Sequence, residues 1–435
     1  MTSSTRHSSF GHTVLSGLLV AGLILVCKWA VEHTDLYVSL QTGVYNWLQS
    51  RLKPPQRRSD LPIVIIDISK LKTVPVEVKG TQFNLTPRKE LQDLITAIAA
   101  QKPKVIGIDI DFSPNQFGYP DPAADPTFFR QMLKLREEGI PVFLGIKRTH
   151  NKAPDKWLGF DEFQTLAADI WVPPDDPRKM HRWVEYTGGK ATDNARGPSM
   201  SAALARAVTK SEDRFKRRFS WAWTQHTEED VEPDLKAGEF LVDFSPIQAL
   251  TDMRITTTSP SVIADFGWAI KGKAVLIGDG ETDSNRDTFY IPGLGAPQGV
   301  PGIYKHAAAA YTLIKAPLYE LTAVGRIGLD LLLSAMVLVP VAGFRAFVSR
   351  RTKNKFAEKT AVGLLTALVT IIVLIVGVFF VHYTRMIWDD FLFVLVALWL
   401  HSVVAEKLSA LWASIKRVPD LVTKILSQPE QGEGQ

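Results

Sequence analysis

Two acidic segments carry the residue types and spacing that could do chemistry. Asp109 and Asp111 stand two apart at the end of an apolar run, and Asp279, Glu281 and Asp283 follow a later run beside Gly278 and Gly280. In a magnesium-dependent phosphohydrolase such a first carboxylate attacks phosphorus and the second serves as acid and base. Acids after a late strand then hold Mg²⁺. Carboxylates at the carboxyl ends of neighbouring parallel strands would converge, because ligand sites in such sheets form there. Against this, two acids at a strand end are a common pattern, and an earlier apolar run at 63–68 lies where an enzyme of this kind would begin.

Other patterns carry less. Ser69 and Lys72 have the spacing of a serine nucleophile with its lysine, but the partner segments Ser-Asp-Asn and Lys-Thr-Gly are missing. The histidines show no metal-ligand spacing, and His306 at a helix start reads as a satisfied structural histidine. The glycines of 293–302 are followed by no Gly-Lys-Ser/Thr, so this stretch is an ordered turn and not a phosphate loop. The sequence predicts no cofactor and no metal.

The elements that must position these residues are legible in part. Apolar runs of strand length fall at 63–68, 105–112, 142–146, 240–244 and 274–277. Between them, 88–100 places Leu91, Leu94, Ile95, Ile98 and Ala99 at helical spacing behind Thr86 and Pro87 as cap and first-turn proline. Residues 126–138 and 199–208 read as further helices. Uninterrupted apolar strands alternating with helices predict an α/β domain with a mostly parallel sheet covered on both faces. The charged stretch 209–239, with Trp221 and Trp223, reads as a solvated excursion.

Four segments have the length and apolarity of membrane spans: 14–31, 327–344, 361–381 and 387–405. The loop after the second carries Arg345, Arg350, Arg351, Lys353, Lys355 and Lys359 against Glu358, and the tail carries Lys407, Lys416, Arg417 and Lys424. Basic loops stay in the cytoplasm. The expected order is a cytoplasmic segment 1–12, a transmembrane helix 13–31 and an extracytoplasmic domain 35–322. Three transmembrane helices at 325–348, 360–382 and 387–406 and a cytoplasmic amphipathic tail 407–435 complete it. The expected domain contains 36 Lys+Arg and 36 Asp+Glu, so the whole-chain net charge of +5 lies in the membrane part. That removes the reason for a nucleic-acid reading. The single cysteine, Cys27, falls in the first span, so the domain holds together without disulfides.

The ordered segments resemble the second type of CHASE domain, the cyclase- and histidine-kinase-associated sensory extracellular domain. Asp67 with Ser69 and Leu71 resembles that family's opening strand, and Pro87 with Arg88 its next helix start. Asp109 followed by Phe112 is similar to its second strand. The run from Lys271 to Gly278, then Asp287, Phe289 and Pro292, then Gly302, His306 and Ala307 resemble its closing segments. Asp193 and Arg196 match more loosely. The resemblance covers about 60–322 and implies an inner-membrane sensor of bacterial type, set in the lipid bilayer, detecting an unknown extracytoplasmic ligand. Its candidate ligand residues are Asp67, Asp109, Asp111, Arg196, Asp287 and His306. About 30 residues follow the fourth span, so the expected effector is a cytoplasmic partner supplied in trans, and a homodimer is compatible with this. Two rival readings stay open: an extracytoplasmic Mg-dependent phosphohydrolase of haloacid-dehalogenase type, and a structural envelope protein.

Overall fold

A computed structural model describes 60–78, 81–112, 124–146, 165–172, 178–181, 183–187, 194–209, 223–224, 239–281, 288–291, 299–315, 319–321, 323–351, 354–384 and 386–387, with six positions between 34 and 45. The chain divides into two units, Val38–Leu321 with Arg385–Ile387, and the remainder.

The first of these units is built on a six-stranded parallel sheet. Its strands are β1 (Ile63–Asp67), β2 (Val105–Asp109), β3 (Val142–Ile146), β4 (Ala167–Asp169), β5 (Ile255–Thr256) and β6 (Ala274–Gly278). Their spatial order is β5–β1–β6–β2–β3–β4. β1 and β6 are buried at every position, which is why they read as continuous apolar runs rather than alternating ones. Each isoleucine or valine so buried contributes about 1.5–3 kcal/mol.

Helices cover both faces. α1 (Arg88–Ala100) and α2 (Asp125–Glu137) pack together on one face, with a 3₁₀ turn at Pro260–Phe266. The other face carries α3 (Met200–Thr209), α4 (Ile247–Asp252) and α6 (Gly302–Lys315), while the short α5 (Gly267–Ile270) leads into β6. Gly107 shows how closely α3 approaches: a Cβ there would lie 2.7 Å from Met200 Sδ and 3.0 Å from Leu204 Cδ2.

The structure departs from the sequence reading in several places. The run 240–244 supplies a strand only at Glu239–Leu241, and it pairs antiparallel with Lys179–His181 outside the parallel sheet. The run 105–112 leaves the sheet after Asp109. Two antiparallel hairpins were not legible, Val74–Val78 with Thr81–Leu85 and Trp183–Thr187 with Asn194–Pro198. Of the charged excursion 209–239, Thr209 ends α3, Glu239 starts the strand Glu239–Leu241, and Trp223–Thr224 pairs with Tyr319–Leu321, while the rest lies outside the described residues.

The second unit contains α7 (Ala323–Arg351), with Pro340 inside it, and α8 (Lys355–Thr384), which pack against each other. Asn354 starts α8 by accepting from the Phe356 amide at 3.0 Å, a side-chain N-cap. One described helix is long and apolar enough to cross a membrane, at Phe356–Phe379 with mean hydropathy 2.9, and Ile327–Val341 is a shorter apolar stretch. Leu364, Leu368, Ile371, Ile372 and Phe379 are exposed along α8. The count of four spans is thus not reached: span 13–31, nearly all of span 387–406 and the tail 407–435 lie outside the described residues.

Candidate functional site

β6 is where the helices diverge. α1 and α2 follow β1 and β2 onto one face, while α6 follows the intervening β6 onto the other. A crevice forms outside the carboxyl ends of strands at such a point. The register sets Asp67, Gly278 and Asp109 in one row across β1, β6 and β2. Parallel strands in register present the same face, so the two aspartates flank Gly278 on the α6 side, about 10 Å apart in the backbone. Ile303 covers the gap between them: a Cβ on Gly278 would lie 2.9 Å from Ile303 Cδ1 and 3.1 Å from Asp109 Cβ.

Asp67 is fully buried. Its Oδ1 accepts from the Ser69 and Gly280 amides, each at 3.0 Å, and its Oδ2 accepts from Thr256 Oγ1 at 3.3 Å. Arg254 Nη1 lies 3.5 Å from Oδ2 and donates to the Gly280 carbonyl at 2.9 Å. A Cβ on Gly280 would stand 3.0 Å from Asp67 Cγ, so the turn needs glycine to come this close. Tyr304, buried in α6, has Arg254 and Thr251 as polar neighbours, neither in hydrogen-bond geometry with its hydroxyl. Burial pushes the Tyr304 phenol above its ordinary value, and the adjacent Arg254 opposes that rise.

The remaining expected residues spread out. Asp109 is half-buried and Asp111 is exposed. His306 is buried in α6 and its Nε2 donates to the Ile170 carbonyl at 3.2 Å, a backbone tie beyond β4. Arg196 lies opposite Glu185 in the second hairpin, where only the backbone is described. Asp287 lies outside the described residues. The late acids do not gather. Asp279 accepts from the Glu281 amide at 2.9 Å, Glu281 pairs with Lys70, and Asp283 lies outside the described residues. Among the described residues no group of three His, Cys, Asp or Glu could hold a metal.

The CHASE2 domain model matches residues 18–340, about three-quarters of the chain. The chain belongs to the CHASE2 family. A CHASE2 domain is a sensory extracellular domain found with cyclases and histidine kinases, which gives the protein a sensory, signal-transducing role. The match begins ahead of the domain read from the sequence and ends within α7. No curated protein and no solved structure matches the chain.

In this CHASE2 domain two of the motif segments meet in space. Arg88 lies over the Phe112 ring with its guanidinium carbon 4.6 Å from the centroid, and Phe128 stacks on Phe112 at 5.6 Å. Arg88 Nε pairs with Asp125 Oδ1, and both side chains are buried. Sequence reasoning missed Asp125, Arg254 and Tyr304. Asp125 precedes Pro126 at the start of α2 and so carried a helix-start signal. Arg254 and Tyr304 carried none, because their partners lie far away in the chain.

Proposed function

We propose that the protein is an integral membrane sensor of the bacterial inner membrane. Its CHASE2 domain, residues 35–322, stands on the extracytoplasmic side and binds an unidentified ligand. Four transmembrane helices at 13–31, 325–348, 360–382 and 387–406 carry the response to a separate cytoplasmic partner. The family match to a sensory extracellular domain supports this reading most directly. The apolar, outward-facing α8 and the basic segment 345–359 add weight to it. The ligand would meet the carboxyl edge of the sheet, where Asp67, Asp109 and Asp111 lie, with Arg196, Asp287 and His306 as the further candidate ligand residues. Asp67 shapes that wall, since its carboxylate is already occupied by backbone amides. Binding can move the helices only by its differential affinity for two arrangements, a coupling of ~1–3 kcal/mol. No observation favours the phosphohydrolase or the envelope-structural reading.

Reporter fusions test the topology on which this rests. Alkaline phosphatase is expected to be active when fused at Trp183 and inactive at Gln435, with a cytoplasm-active fluorescent protein giving the reverse. An active phosphatase at Gln435 would overturn the four-span arrangement.

A further inference from the structure

The hydrogen bonds around Asp67 leave a one-sided remainder. Both oxygens of this carboxylate are engaged, Oδ1 by the Ser69 and Gly280 amides and Oδ2 by Thr256 Oγ1 and Arg254. What is left over is donors. Tyr304 is 3% exposed, and its hydroxyl has no hydrogen-bond partner among the described residues. The buried Ser69 hydroxyl has none there either. Among the described residues Arg254 hydrogen-bonds only through Nη1, to the Gly280 carbonyl, so the rest of its fork is unfilled.

These donors stand around one point. The Ser69 and Gly280 amides meet on the same Asp67 oxygen, each at 3.0 Å, which brings the turns after β1 and β6 together. Arg254 passes beside Gly280, with its Cδ 3.1 Å from where a Cβ on that glycine would lie. Tyr304 neighbours Arg254 from the first turn of α6. The Arg254 side chain is 31% exposed, so solvent, and a solute with it, reaches the guanidinium. α6 starts over Gly278 through Ile303, which brings the positive end of its dipole to the same edge.

The chemistry of this remainder selects a ligand class. A guanidinium donates and cannot accept, so the complementary group carries acceptors. An arginine fork flanked by two hydroxyls matches the two oxygens of a carboxylate, the planar group that arginine binds in bidentate fashion. A phosphate monoester has acceptors too, but it carries close to two negative charges near neutral pH. Asp111 and Asp279 stand exposed at this edge, and Asp67 lies at the centre of the cluster. Like charges so placed disfavour a dianion more than a monoanion.

We propose that Arg254, Tyr304 and Ser69 bind the carboxylate of the sensed ligand, a small monoanionic organic acid. The inference rests on the reading that a ligand meets the carboxyl edge of the sheet, and it gives that ligand its chemical class. Asp67 takes no direct part. It holds the Ser69 turn, the Gly280 turn and Arg254 in place. Neither hydroxyl is used by the fold, so both are available to a ligand.

The test uses the detergent-solubilised full chain, with sodium acetate as the probe and sodium chloride holding the ionic strength constant. Acetate should raise the thermal unfolding midpoint saturably across the millimolar range. Ser69→Ala with Tyr304→Phe should leave the midpoint without acetate nearly unchanged. The same pair should raise the half-saturating acetate concentration roughly tenfold or more, as loss of hydrogen bonds to a charged acceptor does. If the double variant unfolds, Arg254→Lys, which keeps the charge opposite Asp67 but not the fork, should weaken the same response. An acetate shift that survives these substitutions would place binding elsewhere and overturn the proposal. Sodium phosphate saturating at a lower concentration than acetate, with its shift lost in the variants, would overturn the carboxylate and leave the edge as the ligand site. No saturable shift with either anion would overturn the inference, while the sensory topology is judged separately by the reporter fusions.

Discussion

The Gly280 amide donates to Asp67 Oδ1 at 3.0 Å, joining the turn after β1 to the turn after β6 across 213 positions of chain. Asp67 therefore holds the crevice in shape. Asp67→Ala leaves the Ser69 and Gly280 amides without their acceptor and is expected to cost about 3 kcal/mol, while Asp67→Asn keeps an acceptor and costs about 1 kcal/mol. Denaturant unfolding of the detergent-solubilised chain ranks the two. Equal losses would mean that the charge opposite Arg254, and not the amide contacts, is what matters.

Arg88 and Asp125 are buried as a pair, so removing either charge strands the other. Arg88→Met and Asp125→Leu should each destabilise by about 3–5 kcal/mol. The double variant should be more stable than either single one. Additive losses, read from the same unfolding measurement, would contradict this.

Gly278→Ala forces a methyl against Ile303 Cδ1 and Asp109 Cβ. About 1–3 kcal/mol should be lost. Adding Ile303→Val deletes the nearer of the two clashing atoms, so the pair should be less destabilised than the sum of its parts by about 1 kcal/mol. Strict additivity would place Ile303 elsewhere.

The strands that carry this row were legible because burial on both faces leaves an uninterrupted apolar signature at 63–67, 105–109, 142–146 and 274–278. α1 was legible from Arg88 to Ala100 because its apolar spacing is helical, although Pro87, expected in the first turn behind a Thr86 cap, is itself the N-cap. β4 and β5, with three and two residues, are too short for a pattern and exist through their neighbours. The same holds for the crevice. Asp67 and Asp109 showed as strand-end acids, but the Asp67–Gly280 bond, the Arg254 contact and the Arg88–Asp125 pair are tertiary, and nothing local encodes them. Asp279 misled for the opposite reason. Its carboxylate resembles a metal ligand in sequence, yet it caps its own turn.

Tyr304 should show in the alkaline limb of stability. Its phenol titrates above the ordinary 10.0 in the folded chain. Between pH 10 and that raised value the unfolded chain has released a proton that the folded chain keeps, so stability falls as pH rises through the window. Tyr304→Phe should remove this component and cost little near neutral pH, since the hydroxyl has no partner among the described residues. Unchanged alkaline sensitivity in the variant, followed by unfolding midpoints, would refute the assignment.

Removing 407–435 should leave membrane insertion intact and abolish recovery of a cytoplasmic partner. Affinity purification of the intact and truncated chains from membranes checks this. An identical set of co-purifying proteins would reduce the segment to a helix lying on the inner leaflet.

β6 sits between β1 and β2 although it is the last of the six strands to be made. The 164 residues between Asp109 and Ala274 must be synthesised before the two halves can be joined. At ordinary elongation rates that is roughly 10–30 s. Throughout that interval β1 and β2 each present an unfilled inner edge, a template open to any passing strand. The slot between β1 and β2 closes only when residues 274–278 of the same chain arrive to fill it.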